Sequence, residues 1–101
     1  MRELGETSAN NNFLRYHPAV VSHDIPRLDF ETGQRIKKVI KNKLAINPLL
    51  YGSPLHGILK RLFKIRVGDF RIIYAIEKSS ATILVIDHRK DVYRTAEARL
   101  Y

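Results

Sequence analysis

The chain of 101 residues contains no cysteine, and its four histidines are spread along the sequence. Without cysteine, disulfides and thiolate catalysis are excluded, which fits the reducing cytoplasm. Because no close cluster of His, Asp and Glu is visible, we expect neither a metal site nor a cofactor. No apolar run approaches the roughly 20 residues of a membrane span, and residues 1–12 lack the apolar core of a signal peptide. We therefore expect a cytoplasmic protein without membrane contacts.

Positive charge is the main compositional feature. Eighteen Lys and Arg against ten Asp and Glu give a net charge of +8, which favours a polyanionic partner such as nucleic acid or an acidic protein. A hydrophobic content of 45% is typical of a folded chain with one modest core. Residues 1–12 are polar and aperiodic, so we expect a disordered lead-in there and a single domain over residues 13–101.

The first half of the domain has a helical pattern after one short strand. We expect an edge strand at residues 13–16, a helix over residues 18–25, and a longer helix that Asp29 caps and that ends near Asn47. One face of the longer helix is expected to comprise Phe30, Ile36, Val39, Ile40, Lys43 and Leu44. Proline and glycine in residues 49–58 predict a loop between the helices and the strands that follow.

The second half alternates apolar residues with cations. In Leu62–Val67 a period of two places Phe63, Ile65 and Val67 on one face and Lys64 and Arg66 on the other. The Gly68-Asp69 pair predicts a tight turn that leads into a second strand over residues 70–76. Arg71 points to the polar face if the register aligns the two polar faces. A third strand is expected at residues 82–87.

This order of elements predicts an α+β fold. A short N-terminal strand and a helical hairpin would pack on one face of a mainly antiparallel, roughly four-stranded sheet, and the other face would stay open. The open face would carry Lys64, Arg66, Arg71 and Arg89, a cationic surface that suits phosphate groups.

Three motifs carry a resemblance to a known family. The segments PLHG, FKIRVGDFRIIY and IDHRKDVYR, in this order and spacing, resemble the RelE family of toxins from type II toxin–antitoxin systems. The resemblance implies a RelE-like fold and a toxin that enters the ribosome and cleaves messenger RNA without a metal, through the RNA 2′-hydroxyl. It also implies a toxin that is monomeric alone and that forms a heteromeric complex with an antitoxin encoded by an adjacent gene.

The family's functional residues fall on named positions of this chain. Its cationic residues and its tyrosine correspond here to Lys64, Arg66, Arg71, Arg89 and Tyr93. Cleavage by a 2′-hydroxyl needs a base, which Tyr93 could provide as phenolate near cations, and it needs positive charge at the phosphorane, which the arginines could provide. Lys64 and Arg66 would position the RNA phosphates, and His88 is a further candidate acid or base because histidine changes its charge near neutral pH.

Other interpretations fit the same residues. The cations could simply form a solvated strand face, Tyr93 could serve only in packing, and the basic stripe of the long helix could be solvated as well. That stripe comprises Arg35, Lys37, Lys38, Lys41 and Lys43. Two other functions stay open: a ParE-like toxin that inhibits gyrase, and a non-catalytic domain that binds nucleic acid or an antitoxin. Retention of Arg71, Arg89 and Tyr93 favours the ribonuclease.

Overall fold

The fold of the computed structural model is a five-stranded sheet with helices on both faces. The structure describes residues 13–78 and 80–100, so the expected lead-in at residues 1–12 lies outside it. The strands are β1 Phe13–Tyr16, β2 Ser53–Pro54, β3 Leu62–Val67, β4 Phe70–Glu77 and β5 Ser80–His88. They follow the spatial order β1-β5-β4-β3-β2, in which β1 runs parallel to β5 and the other neighbours are antiparallel. The predicted α+β class is confirmed, with five strands instead of roughly four.

The helical segments lie before β2 and after β5. A wide π turn at Val20–Asp24 continues into a 3₁₀ turn at Ile25–Arg27, and α1 spans Phe30–Val39 before a second π turn at Ile40–Leu44. A short helix, α2, covers Pro48–Tyr51, a 3₁₀ turn covers Gly57–Leu59, and α3 covers Val92–Leu100. The prediction of a loop over residues 49–58 is therefore wrong, because this stretch contains most of α2, strand β2 and a 3₁₀ turn. None of the helices within the described ranges is long and apolar enough to cross a bilayer.

Helix α1 begins at the predicted cap and buries one stripe. Asp29 accepts a hydrogen bond of 2.8 Å from the backbone N–H of Thr32, and Ile36, Ile40 and Leu44 are buried at intervals of four residues. Phe30 is 80% exposed, which contradicts its expected place on this face. Six residues before Ile36, it is rotated by about 120° around the helix axis.

The sheet is covered on both sides. One apolar cluster joins α1 to the face that carries Ile65, Ile72 and Ile83. A second cluster lies on the opposite face and comprises Leu55, Leu59, Leu62, Ile73, Val85, Val92 and Ala96. The expectation of an open face is therefore wrong for this part of the sheet: Val92 and Ala96, one turn apart on α3, present a single apolar stripe that covers it.

A buried ion pair fixes the end of α3. The guanidinium of Arg99 donates hydrogen bonds of 2.7 Å to both carboxylate oxygens of Asp24 and one of 2.8 Å to the carbonyl of Leu84. Asp24 also accepts a hydrogen bond of 2.9 Å from the N–H of Ile86. Both backbone groups lie on β5 beyond its pairing with β1, so these two side chains take the place of a strand there. Because α3 also carries Tyr93 in its first turn, the pair helps to position the candidate site.

Burial and hydrogen bonding act on Asp24 in opposite directions. Burial favours the protonated carboxyl, but the hydrogen bonds from Arg99, Ile86 and His23 outweigh it and lower the pKa of Asp24 below its ordinary value. The carboxylate is therefore charged at neutral pH, as a two-pronged bond from an arginine requires.

Candidate functional site

Lys64 and Tyr93 meet on the sheet face that α3 covers. The Nζ atom of Lys64 lies 3.4 Å from the Oη atom of Tyr93 and 5.8 Å from the centre of its ring. The ring is half-buried because it packs against the second apolar cluster. At this distance the ammonium can donate a hydrogen bond to the phenol oxygen. The structure thus brings together two of the predicted site residues from β3 and from the start of α3.

Arg66 and Arg71 are direct neighbours across the β3–β4 pair. The side chains of such a pair point to the same face, so the expected sharing of one polar face by both strands agrees with the register. Arg71 is anchored by its Nη1 atom, which donates hydrogen bonds of 2.9 Å to the carbonyls of Gly68 and Phe70. Its remaining N–H groups stay available for a ligand.

The turn between β3 and β4 gathers further arginines. Gly68 has a φ of +60°, and a Cβ atom there would lie 3.1 Å from guanidinium nitrogens of Arg35, so both conformation and space favour glycine. The backbone N–H of Arg89 donates a hydrogen bond of 2.8 Å to the carbonyl of Asp69. Its side-chain Nε atom lies 3.7 Å from an oxygen of the Asp69 carboxylate. Arg89 therefore lies beside the turn that anchors Arg71.

A groove of about 470 Å³ runs beside these strands. Its lining comprises Lys43, Tyr51, Ser53, Lys64, Ile65, Arg66 and Arg71. Four of these residues are cations and none is acidic, and within residues 13–78 and 80–100 none of the four forms a salt bridge. Such a groove suits an anionic ligand with several phosphates. The apolar groove of about 240 Å³ between the first helical turns and α1 has only Lys37 as a cation and lies apart from the site.

Tyr51 and Lys43 complete the groove, and the sequence interpretation did not assign either of them to the site. Tyr51 ends α2, and the Nζ atom of Lys43 lies 5.8 Å from the centre of its ring. The signal in the sequence is weak, since a single tyrosine in a stretch rich in proline and glycine carries no periodicity. The π turn at Ile40–Leu44 contributes Lys43 to this wall.

His88 is separated from the other candidates. Its ring packs edge-on against Phe70, with ring centres 5.8 Å apart, and Phe70 packs against the cluster on the α1 side of the sheet. The Nδ1 atom of His88 accepts a hydrogen bond of 3.2 Å from the N–H of Lys90. These contacts give His88 a part in ordering the end of β5. Among the described residues, no group of three or more His, Cys, Asp or Glu side chains could hold a metal ion.

Comparison with known proteins decides the family. The model of the family described as ParE toxin of the type II toxin–antitoxin system parDE matches residues 14–93. The chain belongs to this family. Toxin RelE of Mycobacterium tuberculosis is 30% identical over 89 residues, which cover 83% of this chain and 92% of RelE. RelE-type and ParE-type toxins form one superfamily, so the predicted resemblance to RelE toxins is confirmed at the level of this RelE/ParE superfamily.

Two further relatives are consistent with this family membership. Toxin RelG of Mycobacterium tuberculosis is 38% identical over 53 residues, or 50% of this chain, and the match spans 61% of the length of RelG. One chain in the crystal structure of the toxin–antitoxin complex RelBE2 from the same organism superimposes with a TM-score of 0.72 and 25% identity. That match covers 85% of this chain and the whole of the other one.

Proposed function

We propose that this toxin is an endoribonuclease that cleaves messenger RNA on the ribosome and so stops translation. The observation that carries the proposal is the contact of 3.4 Å between Lys64 Nζ and Tyr93 Oη, beside a groove lined by Arg66 and Arg71. RNA cleavage by its own 2′-hydroxyl requires a group that moves a proton and positive charge at the phosphate. Tyr93 can provide the first, and the neighbouring cations can provide the second.

The proposed step is an internal transesterification. The phenolate of Tyr93 removes the proton of the 2′-hydroxyl, and the 2′-oxygen forms a bond to phosphorus. The bond from phosphorus to the 5′-oxygen breaks, and that oxygen takes a proton from an ammonium group or from solvent. The products are a 2′,3′-cyclic phosphate and a 5′-hydroxyl. Tyr93 then returns the proton it has gained to that ammonium group or to solvent, so the step consumes no proton overall.

The arginines act on the charge of the reacting phosphate. Arg71 keeps free N–H donors beside Arg66, and together they suit the nonbridging phosphate oxygens, where charge builds up. Arg89, on the other side of the Gly68-Asp69 turn, would leave its exposed ion pair with Asp69 to reach the RNA, at little cost because such pairs are weak. His88 is left out of the proposed step because its ring packs on Phe70.

We also propose an antitoxin as partner and the cytoplasm as the site of action. The surface carries exposed apolar side chains at Ile46, Leu49, Leu50 and Ile58, which are close in sequence to the residues Lys43, Tyr51 and Lys64 of the cationic groove. An acidic segment with apolar anchors would complement both features. The related RelBE2 structure is that of a toxin–antitoxin complex, which supports this pairing.

The match to the ParE family model supports one competing function, inhibition of gyrase. A gyrase inhibitor would act by binding and would need neither Tyr93 nor its contact with Lys64. The two functions differ in their first effect in the cell.

Expression of the chain without an antitoxin separates them. We expect amino-acid incorporation to fall within minutes while plasmid supercoiling is unchanged, and we expect new messenger RNA ends with a 5′-hydroxyl inside coding regions. Loss of supercoiling with continued protein synthesis would instead favour the gyrase inhibitor. Coexpression of the adjacent gene should restore growth and allow a complex to be purified.

A further inference from the structure

The ring of Tyr51 lines the same groove as Arg66 and Arg71. It is 43% exposed, whereas the large side chains of the core are fully covered. A half-exposed aromatic ring among four cations is a common arrangement in proteins that bind single-stranded nucleic acid, in which bases stack on rings and phosphates contact cations. We propose that Tyr51 is a stacking platform for a base of single-stranded RNA whose backbone lies along the groove.

Three contacts make the platform rigid. The hydroxyl of Tyr74 donates a hydrogen bond of 2.6 Å to the carbonyl of Pro48, the first residue of α2. Gly52, directly after Tyr51, packs so closely on the hydroxyl of Tyr74 that a Cβ atom there would overlap it. The side chain of Asn47 caps α2 by accepting a hydrogen bond of 3.2 Å from the N–H of Leu50. The short helix is therefore held against the sheet, so little ordering would be needed when a base binds.

Lys43 and Lys64 supply positive charge to the groove that Tyr51 lines. The ammonium of Lys43 lies over one face of the Tyr51 ring, so the base would stack on the other face while Lys43 contacts a phosphate of the same nucleotide. Lys64 lines the same groove and also contacts Tyr93. The stacked base would thus belong to a nucleotide near the bond that is cut, and Tyr51 would hold it by stacking, a contact that all four bases can make. This inference rests on the proposed function for its choice of RNA.

The test measures binding without cleavage. A fluorescent 2′-O-methyl RNA strand, which cannot be cut, is compared by anisotropy at low salt with a strand of equal length that lacks all bases. We expect Tyr51→Ala to weaken binding of the intact strand by about 5- to 150-fold, the scale of one base on an aromatic ring, and to leave binding of the abasic strand unchanged. Tyr51→Phe keeps the ring and should retain the affinity.

Phe30→Ala is the matched control, because Phe30 is 80% exposed but does not line the groove. It should bind both strands like the wild type. No measurable binding of either strand, equal affinity of the wild type for both strands, or equal losses for Tyr51→Ala and Phe30→Ala would each overturn the inference. If the wild type cuts no message but Tyr51→Ala still loses affinity for the intact strand alone, the proposed cleavage fails and the stacking site stands.

Discussion

Lys64 and Tyr93 lie 29 positions apart in the chain, yet the Nζ atom of one is 3.4 Å from the Oη atom of the other. Strand β3 supplies the ammonium and helix α3 supplies the phenol. Their meeting depends on the second apolar cluster, in which Val92 packs against the sheet. The contact between Lys64 and Tyr93 therefore depends on the packing of α3, and the ion pair of Asp24 with Arg99 holds the C-terminal end of that helix.

Removal of the Tyr93 hydroxyl should abolish most of the catalysis. We expect Tyr93→Phe to slow single-turnover cleavage of ribosome-bound message by about 100-fold or more, the usual scale for one proton-transfer group. Its ring still packs on the second cluster, so ribosome binding should change little. Tyr16→Phe makes the same change at a half-buried tyrosine on β1 and should cleave at the wild-type rate. Equal rates for wild type and Tyr93→Phe would remove Tyr93 as the base.

Both arginines beside the hairpin turn should be needed for the chemical step. We expect Arg71→Ala and Arg89→Ala each to slow single-turnover cleavage by about 100-fold, because each would withdraw charge stabilisation from the phosphorane. Arg71→Ala also loses two hydrogen bonds to the turn, so Arg71→Lys, which keeps the charge, and a melting curve serve as controls. Wild-type activity of Arg89→Ala would exclude Arg89 from the catalytic site and would leave only the residues of the groove and Tyr93.

The groove cations should set the salt dependence of RNA binding. Each phosphate contact to a single strand contributes about 0.7 to the slope of log affinity against log salt concentration. Lys64→Ala and Arg66→Ala are therefore each expected to lower the magnitude of this slope by about 0.7. Lys38→Ala removes an exposed cation of α1 that does not line the groove, and it should leave the slope unchanged. Equal slopes for all three variants would place the RNA elsewhere.

The buried ion pair should make stability depend on pH in the acid range. Since the folded state lowers the pKa of Asp24, the pair contributes fully above the ordinary Asp value of about 4, and its contribution is lost as the pH falls through the folded-state pKa. We expect Asp24→Asn to lower the free energy of unfolding in urea by about 3 kcal/mol at pH 7, and by less in strong acid.

A surface pair provides the comparison for this effect. Asp91 and Arg94 form a contact of 2.7 Å at the start of α3, with 47% and 80% of their side chains exposed. Asp91→Asn should cost about 1 kcal/mol or less, because solvent screens exposed pairs. If Asp24→Asn and Asp91→Asn lowered the free energy of unfolding equally, the buried pair would contribute no more to stability than the surface pair.

Two buried hydroxyls should respond differently to the same substitution. Tyr74 donates its hydrogen bond to Pro48, while the hydroxyl of Tyr16 has no partner within the described part of the chain. Tyr74→Phe is expected to lower the free energy of unfolding by about 1 kcal/mol, and Tyr16→Phe to leave it unchanged or to raise it. Chemical denaturation of the three proteins at pH 7 checks this, and a larger loss in Tyr16→Phe would contradict it.

The same two tyrosines predict a loss of stability in alkali. Burial raises the pKa of both Tyr16 and Tyr74 from 10.0 to about 12. The folded state therefore holds these protons more tightly than the unfolded state, and their contribution is complete below pH 10 and is lost as the pH rises towards 12. The double Phe variant should show a weaker decline over this interval.

Local sequence patterns were sufficient to predict the two faces of a strand, the position of the hairpin turn and the start of a helix. Alternation in Leu62–Val67 placed Lys64 and Arg66 opposite Ile65 because side chains of a strand alternate by geometry alone. Gly68 marked the turn because few other residues adopt its positive φ, and Asp29 marked the start of α1 because its carboxylate reaches the N–H of Thr32. Each of these features depends on neighbours a few positions away, so it can be predicted from the sequence.

The tertiary structure decided which of these surfaces meet. Asp24 and Arg99 are 75 positions apart, and nothing in the local sequence around either residue announces the other. The packing of complete elements likewise decides that α3 covers the second face of the sheet. It also decides that Tyr51 lines the groove and that the ring of His88 packs on Phe70, apart from the other candidate residues. Burial of Val92 and Ala96 against Ile73 and Val85 favours one placement of α3, and that placement brings Tyr93 to Lys64.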